Sequence, residues 1–296
     1  MEHIAAGFAQ KLAAGSSARL LFEPARSGVV SWNAFDATGT IEFRLLRAHV
    51  PDTHWLPYAQ WHPDGSKSFS ADSDGVHVEV DVIRADRPFD GIDVRGIGVE
   101  FNLVAFSSPQ PLRPSLPYAR SAIVLDVPAR SQYVIPDERG WCSPASVSML
   151  LAYHGIDVAV DAVARAVFDR AYNGTGNWAF NVAYCGTFGL RAVVGHLSNL
   201  DAAQRLIERN LPIAISYSWR DGELPGAPLE QSDGHLAVLC GFTSDGDCAM
   251  NDPAAPNVRV VYPRAALERI WQRNDGVAYV VAPAGIDYPS VLDAAG

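Results

Sequence analysis

Gly140-Trp141-Cys142-Ser143-Pro144-Ala145-Ser146-Val147-Ser148-Met149-Leu150-Leu151-Ala152-Tyr153-His154-Gly155 sets a thiol at the mouth of an apolar helix. Pro144 lacks an amide proton and has a fixed φ, so it suits a first helical turn. Gly155 closes the helix about three turns later. Cys142 therefore meets unpaired backbone N–H groups and the positive end of the helix dipole, which together stabilise a thiolate. A buried structural cysteine would more naturally sit deeper in such a helix. This position suits a nucleophile.

A nucleophilic thiol needs a base, and the base needs an orienter. His235 opens Gly234-His235-Leu236-Ala237-Val238-Leu239-Cys240-Gly241-Phe242, an apolar run bounded by glycines that predicts a buried strand. Ser244-Asp245-Gly246-Asp247 is a turn signal, and Cys248-Ala249-Met250-Asn251 reads as the returning strand. It stops at Asn251-Asp252-Pro253, because proline cannot continue the ladder. The start of one strand then faces the end of the other, which brings His235 towards Asp252. The two lie unequally far from the turn, so a bulge or longer loop must absorb the difference.

Each residue alone has a plainer role: a small buried thiol, a core histidine, a turn-capping aspartate. In this order they form a set in which the ring takes the thiol proton and the carboxylate fixes the ring's tautomer. An oxyanion donor completes it. Gln132, ten residues before Cys142, is the best side-chain candidate, with the Cys142 backbone N–H as second donor. His154, just before Gly155, reads as a structural partner of terminal carbonyls.

At this point the chain resembles a family. Val127-Pro128, Ser131-Gln132, Trp141-Cys142-Ser143-Pro144-Ala145-Ser146, Gly234-His235 and Asn251-Asp252-Pro253 look like the papain-like peptidases related to bacteriocin-leader processing, the "C-thirty-nine-like" group. The resemblance runs from about Val127 to Pro283. It implies an α+β papain-like fold, Cys142 as nucleophile, His235 as base, Asp252 as orienter and Gln132 as oxyanion donor. Trp141, Ser143 and Gly234 are then the expected substrate contacts. Many relatives have glycine where this chain has Ser143, which would add a side chain beside the scissile bond. Transporter-fused members carry membrane spans that this sequence lacks, so their double-glycine leader substrate is not carried over.

The elements around these motifs divide the chain. Ser107-Ser108-Pro109-Gln110-Pro111-Leu112-Arg113-Pro114-Ser115-Leu116-Pro117 holds four prolines and predicts a stiff connector at 108–117. Before it, residues 1–107 predict an all-β sandwich: Ile41–Arg47 and Val76–Val82 alternate in period two, and Val94–Phe106 adds a strand or two. Turn signals recur at Ala37-Thr38-Gly39, Pro63-Asp64-Gly65 and Asp74-Gly75. Trp32, Trp55 and Trp61 lie here, and exposed indoles beside Asn, Asp and Tyr could stack on a glycan. After it, residues 118–296 predict one α+β domain. Helices are expected over Val158–Asp169, from Trp178 and over Leu200–Arg209, and strands over Leu211–Tyr217, Val258–Tyr262 and Val277–Val281. Trp219–Gly222 and the loop from Pro225 to Pro228 are expected to overhang the cleft. The glycines of Asn173–Asn177 would let an extended peptide come close.

Composition narrows the partners. The formal net charge of −10 with scattered Lys and Arg argues against nucleic acid, and no Gly-rich phosphate loop is visible. No apolar run approaches a membrane span, and Met1–Phe8 lacks the basic start and long apolar core of a secretory signal, so a cytoplasmic protein is expected. The four cysteines, Cys142, Cys185, Cys240 and Cys248, form no zinc spacing, and no cofactor is expected. Free thiols are expected, although Cys240 and Cys248 flank the turn closely enough for a cross-strand disulfide. The sequence thus predicts a thiol hydrolase cutting an amide, most simply a peptide bond, through an acyl-enzyme. An acyltransferase with the same triad, or an inert scaffold presenting a glycan- or protein-binding module, are its alternatives.

Overall fold

The computed structural model describes residues 9–34, 38–62, 65–116, 122–135 and 140–285. Met1–Phe8, Ala37, Pro63, Asp64 and Pro117 of the sequence reading lie outside the described residues. The described residues divide into two compact units, one of 9–109 with Arg165–Val194 and one of 110–164 with 195–285.

The first unit is strongly β-rich, as its alternating segments predict. Its strands are β1 (Ala9–Leu12), β2 (Ser17–Asn33), β3 (Gly39–Arg47), β4 (Val50–Pro51), β5 (Leu56–Trp61), β6 (Lys67–Ser68), β7 (Ala71–Ser73), β8 (Val76–Glu79), β9 (Val82–Ile97) and β10 (Phe101–Ser107). They pair antiparallel in the order β1-β10-β2-β9-β3-β5-β6, with β4 on β3 and the β7–β8 hairpin on β9. The long β2–β9 pair shifts register between Leu21 and Ala25 and again before Ser27. Bulges of this kind bend strands. Over Ser17–Leu21 burial alternates, and over Gly28–Asn33 both faces are buried.

The second burial pattern has a cause that sequence reading missed. Helix α3 (Trp178–Thr187) belongs to this unit and lies on β2. Gly186 approaches so closely that a Cβ there would sit 2.6 Å from the Cβ of Asn33. Asn33 Nδ2 donates to the Ala192 carbonyl at 2.8 Å, and its Oδ1 accepts from the Ala192 N–H at 3.0 Å. The carboxylate of Asp81 accepts the Trp178 and Ala179 N–H groups at the helix start. Asp169, fully buried, accepts the Ser68 N–H and the Asn177 amide. These bonds tie Arg165–Val194 to the β strands.

The tryptophans correct another expectation. Trp32 and Trp61 are 0 % and 1 % exposed, and Trp32 packs edge-on against Trp61, Tyr58 and Phe180. Trp55 lies between the Arg44 and Arg95 guanidiniums, 4.7 and 4.2 Å from its ring centroid. Trp32 and Trp61 are thus buried packing residues rather than the exposed indoles expected, and Trp55 is half-buried. Gly174 likewise serves Tyr172, whose ring lies 2.9 Å from where a Cβ would stand, and so makes room for that side chain rather than for a peptide.

The second unit contains β11 (Ile123–Val124), α1 (Cys142–Tyr153), most of α2 (Val160–Ala166), α4 (Leu200–Ile207), β13 (Ile213–Trp219), β14 (Ser232–Phe242), β15 (Cys248–Asn251), β16 (Arg259–Tyr262), α5 (Arg264–Gln272) and β17 (Val277–Ala282). Strand β12 (Arg191–His196) runs across the division between the units. The strands pair antiparallel as β17-β13-β14-β15-β16, and β11 pairs with β14 beyond the reach of β13. Helix α1 packs on β14 through an almost wholly buried surface from Ser143 to Leu151. This is the α+β layout the sequence predicts. Among the described residues no helix is long and apolar enough to cross a membrane, and all four cysteines are free thiols.

Candidate active site

Helix α1 begins at Cys142 itself, and Gly155 follows its end with φ +80°. The Ala145 N–H turns back to the Trp141 carbonyl at 3.0 Å, closing the first turn around Pro144. The thiol is partly exposed and stands at the positive end of the helix. Ser146 donates its hydroxyl to the Leu236 carbonyl at 3.2 Å, which registers the helix against β14. The Leu236 N–H in turn faces the Cys142 sulfur. A strand one residue past the histidine is thereby locked to the Cys142 helix.

His235 sits inside β14 and is 3 % exposed. The β14–β15 ladder pairs Val238 with Asn251 and Leu239 with Met250, then Gly241 with Ala249, so Cys240 is the extra residue of a bulge. That bulge absorbs one residue of the offset seen in the sequence, and much of the rest persists as a diagonal placement of the two side chains. Asp252 leaves the end of β15 diagonally opposite His235, and the ring's Nε2 meets its Oδ1 at 2.8 Å. With Nε2 so engaged, Nδ1 is the nitrogen left to face Cys142.

Electrostatics follow from this geometry. Burial would raise the Cys142 thiol pKa, but hydrogen bonding and charge from His235, with the Leu236 and Ser143 N–H groups, outweigh it and leave the pKa lowered. Burial would depress His235, yet the Asp252 carboxylate and the sulfur push it up, to about 10. Burial also opposes ionisation of Asp252, and the His235 charge, the Tyr262 hydroxyl and the Ala254 N–H together bring its pKa down. The arrangement favours thiolate, imidazolium and carboxylate side by side. By contrast Cys185, Cys240 and Cys248 have no such partners, and burial drives all three well above the ordinary thiol range.

The remaining expected residues fall in different places. The segment after β11 runs along the hairpin: Leu125 N–H donates to the Cys240 carbonyl at 2.8 Å and Asn251 Nδ2 to the Val127 carbonyl at 3.0 Å. Gln132 N–H then donates to the Pro253 carbonyl at 2.9 Å. Its side chain is 7 % exposed, and Oε1 has no hydrogen-bond partner among the described residues. Trp141 is half-buried, and Gly234 is exposed with open space where a Cβ would stand. Ser143 corrects its expectation. Its side chain is fully buried and its hydroxyl bonds Tyr279 at 2.9 Å, so only its backbone N–H serves the sulfur.

Two aromatic residues, Tyr217 and Tyr262, escaped the sequence reading, and a third, Trp219, was expected at the cleft but in a loop. Tyr217 pairs directly across from His235, ring to ring at 5.4 Å and nearly perpendicular. Trp219, expected in an overhanging loop, ends β13 with its ring 5.5 Å from His235 and its Nε1 on the Leu229 carbonyl. Tyr262 sits at the end of β16 and donates to Asp252. Period two along Ile213-Ala214-Ile215-Ser216-Tyr217-Ser218-Trp219 puts Tyr217 and Trp219 on one face, but which face needs the strand pairing.

A family model, the Peptidase_C39 like family, matches residues 124–279, more than half of the chain. The chain belongs to this family. The C39-like chain is therefore of the cysteine-peptidase type, and Cys142, His235 and Asp252 all lie within the matched span. No curated protein matches it. Among solved structures it is similar to a C39-like peptidase from Bacillus anthracis, at 16 % identity over 55 % of this chain and 98 % of that one, with TM-score 0.41. It is also similar to a double glycine motif protease from an AMS/PCAT transporter in complex with its leader peptide, at 19 % identity, 55 % and 99 % coverage and TM-score 0.35. The peptidase domain of Streptococcus ComA, a bi-functional ABC transporter, gives 14 %, 55 %, 99 % and 0.36. Among the described residues of the C39-like chain no cluster of three His, Cys, Asp or Glu side chains is arranged to hold a metal ion.

Proposed function

We propose that this C39-like chain hydrolyses a peptide bond through a thioester on Cys142. His235 holds the proton that leaves the sulfur, and Asp252 keeps the ring in the tautomer that faces it. The thiolate attacks the carbonyl carbon, and the carbonyl oxygen takes up negative charge. The Cys142 N–H at the helix start and the Gln132 amide are its donors. His235 protonates the amine, the C–N bond breaks, and the thioester remains. A water molecule gives its proton to His235, attacks the thioester and releases the acid with the thiol restored. Trp141 and the open backbone at Gly234 flank this path and contact the substrate. One observation carries the reading: a buried His235–Asp252 pair at 2.8 Å beside a partly exposed thiol whose pKa it lowers.

A thiol-directed acyl probe, followed by mass spectrometry, should label Cys142 and leave Cys185, Cys240 and Cys248 unmodified. Cys142→Ala and His235→Ala should each abolish cleavage of a peptide library. Cleavage that persists in Cys142→Ala would overturn the proposal.

A further inference from the structure

We infer that Tyr262 is a positioning residue that holds the Asp252 carboxylate as the fixed anion facing His235, with Tyr217 as its weaker partner. This assignment rests on the thiol-peptidase reading above and adds residues to it. A carboxylate offers about four acceptor directions. In Asp252 all four are filled: Oδ1 by His235 Nε2 at 2.8 Å and the Ala254 N–H at 2.9 Å, Oδ2 by the Tyr262 hydroxyl at 2.7 Å and the Tyr217 hydroxyl at 3.2 Å. Asp252, Tyr217 and Tyr262 are each 0 % exposed, so water does not share this work.

The choice of donor matters. An arginine on Oδ2 would cancel the charge that His235 needs. A phenol stabilises the anion by a hydrogen bond and leaves its charge available to the ring. Neither tyrosine competes by ionising, because burial and the neighbouring carboxylate push both phenols far up. The three strands also converge here, since Tyr217 comes from β13, His235 from β14 and Tyr262 from β16. Among the described residues the titratable groups facing Asp252 are therefore His235, Tyr217 and Tyr262, with Cys142 of α1 acting through the ring.

The test is Tyr262→Phe, which keeps the ring and deletes the hydroxyl, compared with Tyr217→Phe and wild type. Two readouts are followed across pH: alkylation of Cys142 by iodoacetamide, and the NMR resonance of the His235 Nε2 proton. Losing one donor to a buried anion should move the acid limb of both upward by about one pH unit in Tyr262→Phe. Tyr217→Phe should give a smaller shift of the same sign. A lowered melting temperature with unmoved limbs in both variants would mean that the tyrosines only pack, and would overturn the assignment. Should Tyr262→Phe fail to fold, Tyr217→Phe decides by the same measure. A wild-type Cys142 that resists alkylation at every pH would fail the peptidase reading instead, while the His235 resonance still reports on Tyr262.

Discussion

At the residue scale the site works by opposing burial with a neighbour. Each of Cys142, His235 and Asp252 would be neutral if buried alone, and each is charged because the next one is. The pH dependence follows with a definite sign. Turnover should rise as pH climbs through the lowered Cys142 pKa, below the free-cysteine range near roughly 8.5, because the thiolate is the attacking form. It should fall as pH passes about 10, where His235 loses the proton owed to the leaving amine. An acid limb at or above the free-cysteine value in a kcat/KM profile would contradict this. Asp252→Asn keeps the shape but removes the charge, and should lower kcat on the order of 10²-fold or more with KM little changed. Cys142, His235 and Asp252 were legible in the sequence because each carries a local signature: a proline-marked helix start, a glycine-bounded strand, a proline stop. Tyr217 and Tyr262 were not, because their places depend on which strand lies beside which, and Trp219 was expected at the cleft but not on a strand. Ser143 was misread for a related reason, since a helix start does not reveal which way its side chain turns.

Among the elements, the hairpin of β14 and β15 decides whether His235 and Asp252 meet. Its bulge at Cys240 depends on Gly241, whose φ is +154° and whose absent Cβ would lie 1.9 Å from the Ile123 carbonyl oxygen. No other residue fits both constraints. Gly241→Ala should cost roughly 1–3 kcal/mol of stability, read by urea denaturation, and should weaken turnover by shifting Asp252 relative to His235. Wild-type stability and activity in this variant would show that the ladder can close without the bulge. Helices α1 and α4 and strands β13 to β17 were legible from periodicity and punctuation. Helix α5 was overlooked because Arg264-Ala265-Ala266-Leu267-Glu268-Arg269-Ile270-Trp271-Gln272 follows directly on a strand, and its apolar face of Leu267, Ile270 and Trp271 spans little more than one turn. Strand β2 was overlooked because its solvent-facing half and its doubly buried half show different patterns within one element.

For the molecule as a whole, the grouping of Arg165–Val194 with the β strands sets the limits of dissection. Ala179, Phe180, Val182 and Ala183 of α3 are 0 to 1 % exposed because β2 and its neighbours cover them. A chain starting at residue 108 would leave that surface open to water, and should aggregate or bind a hydrophobic dye on expression. A monodisperse, dye-silent fragment by light scattering would refute this. No local pattern announces the grouping, because composition marks the proline-rich break after 107 but not a return of the chain to an earlier unit. The same return governs synthesis. The β-rich unit waits for its last thirty residues, Arg165–Val194, until residues 110–164 have been made. At roughly 5–20 residues per second this delays its completion by about 3–11 s. Helix α1 with Cys142 therefore leaves the ribosome before the amino-terminal strands receive their covering helix.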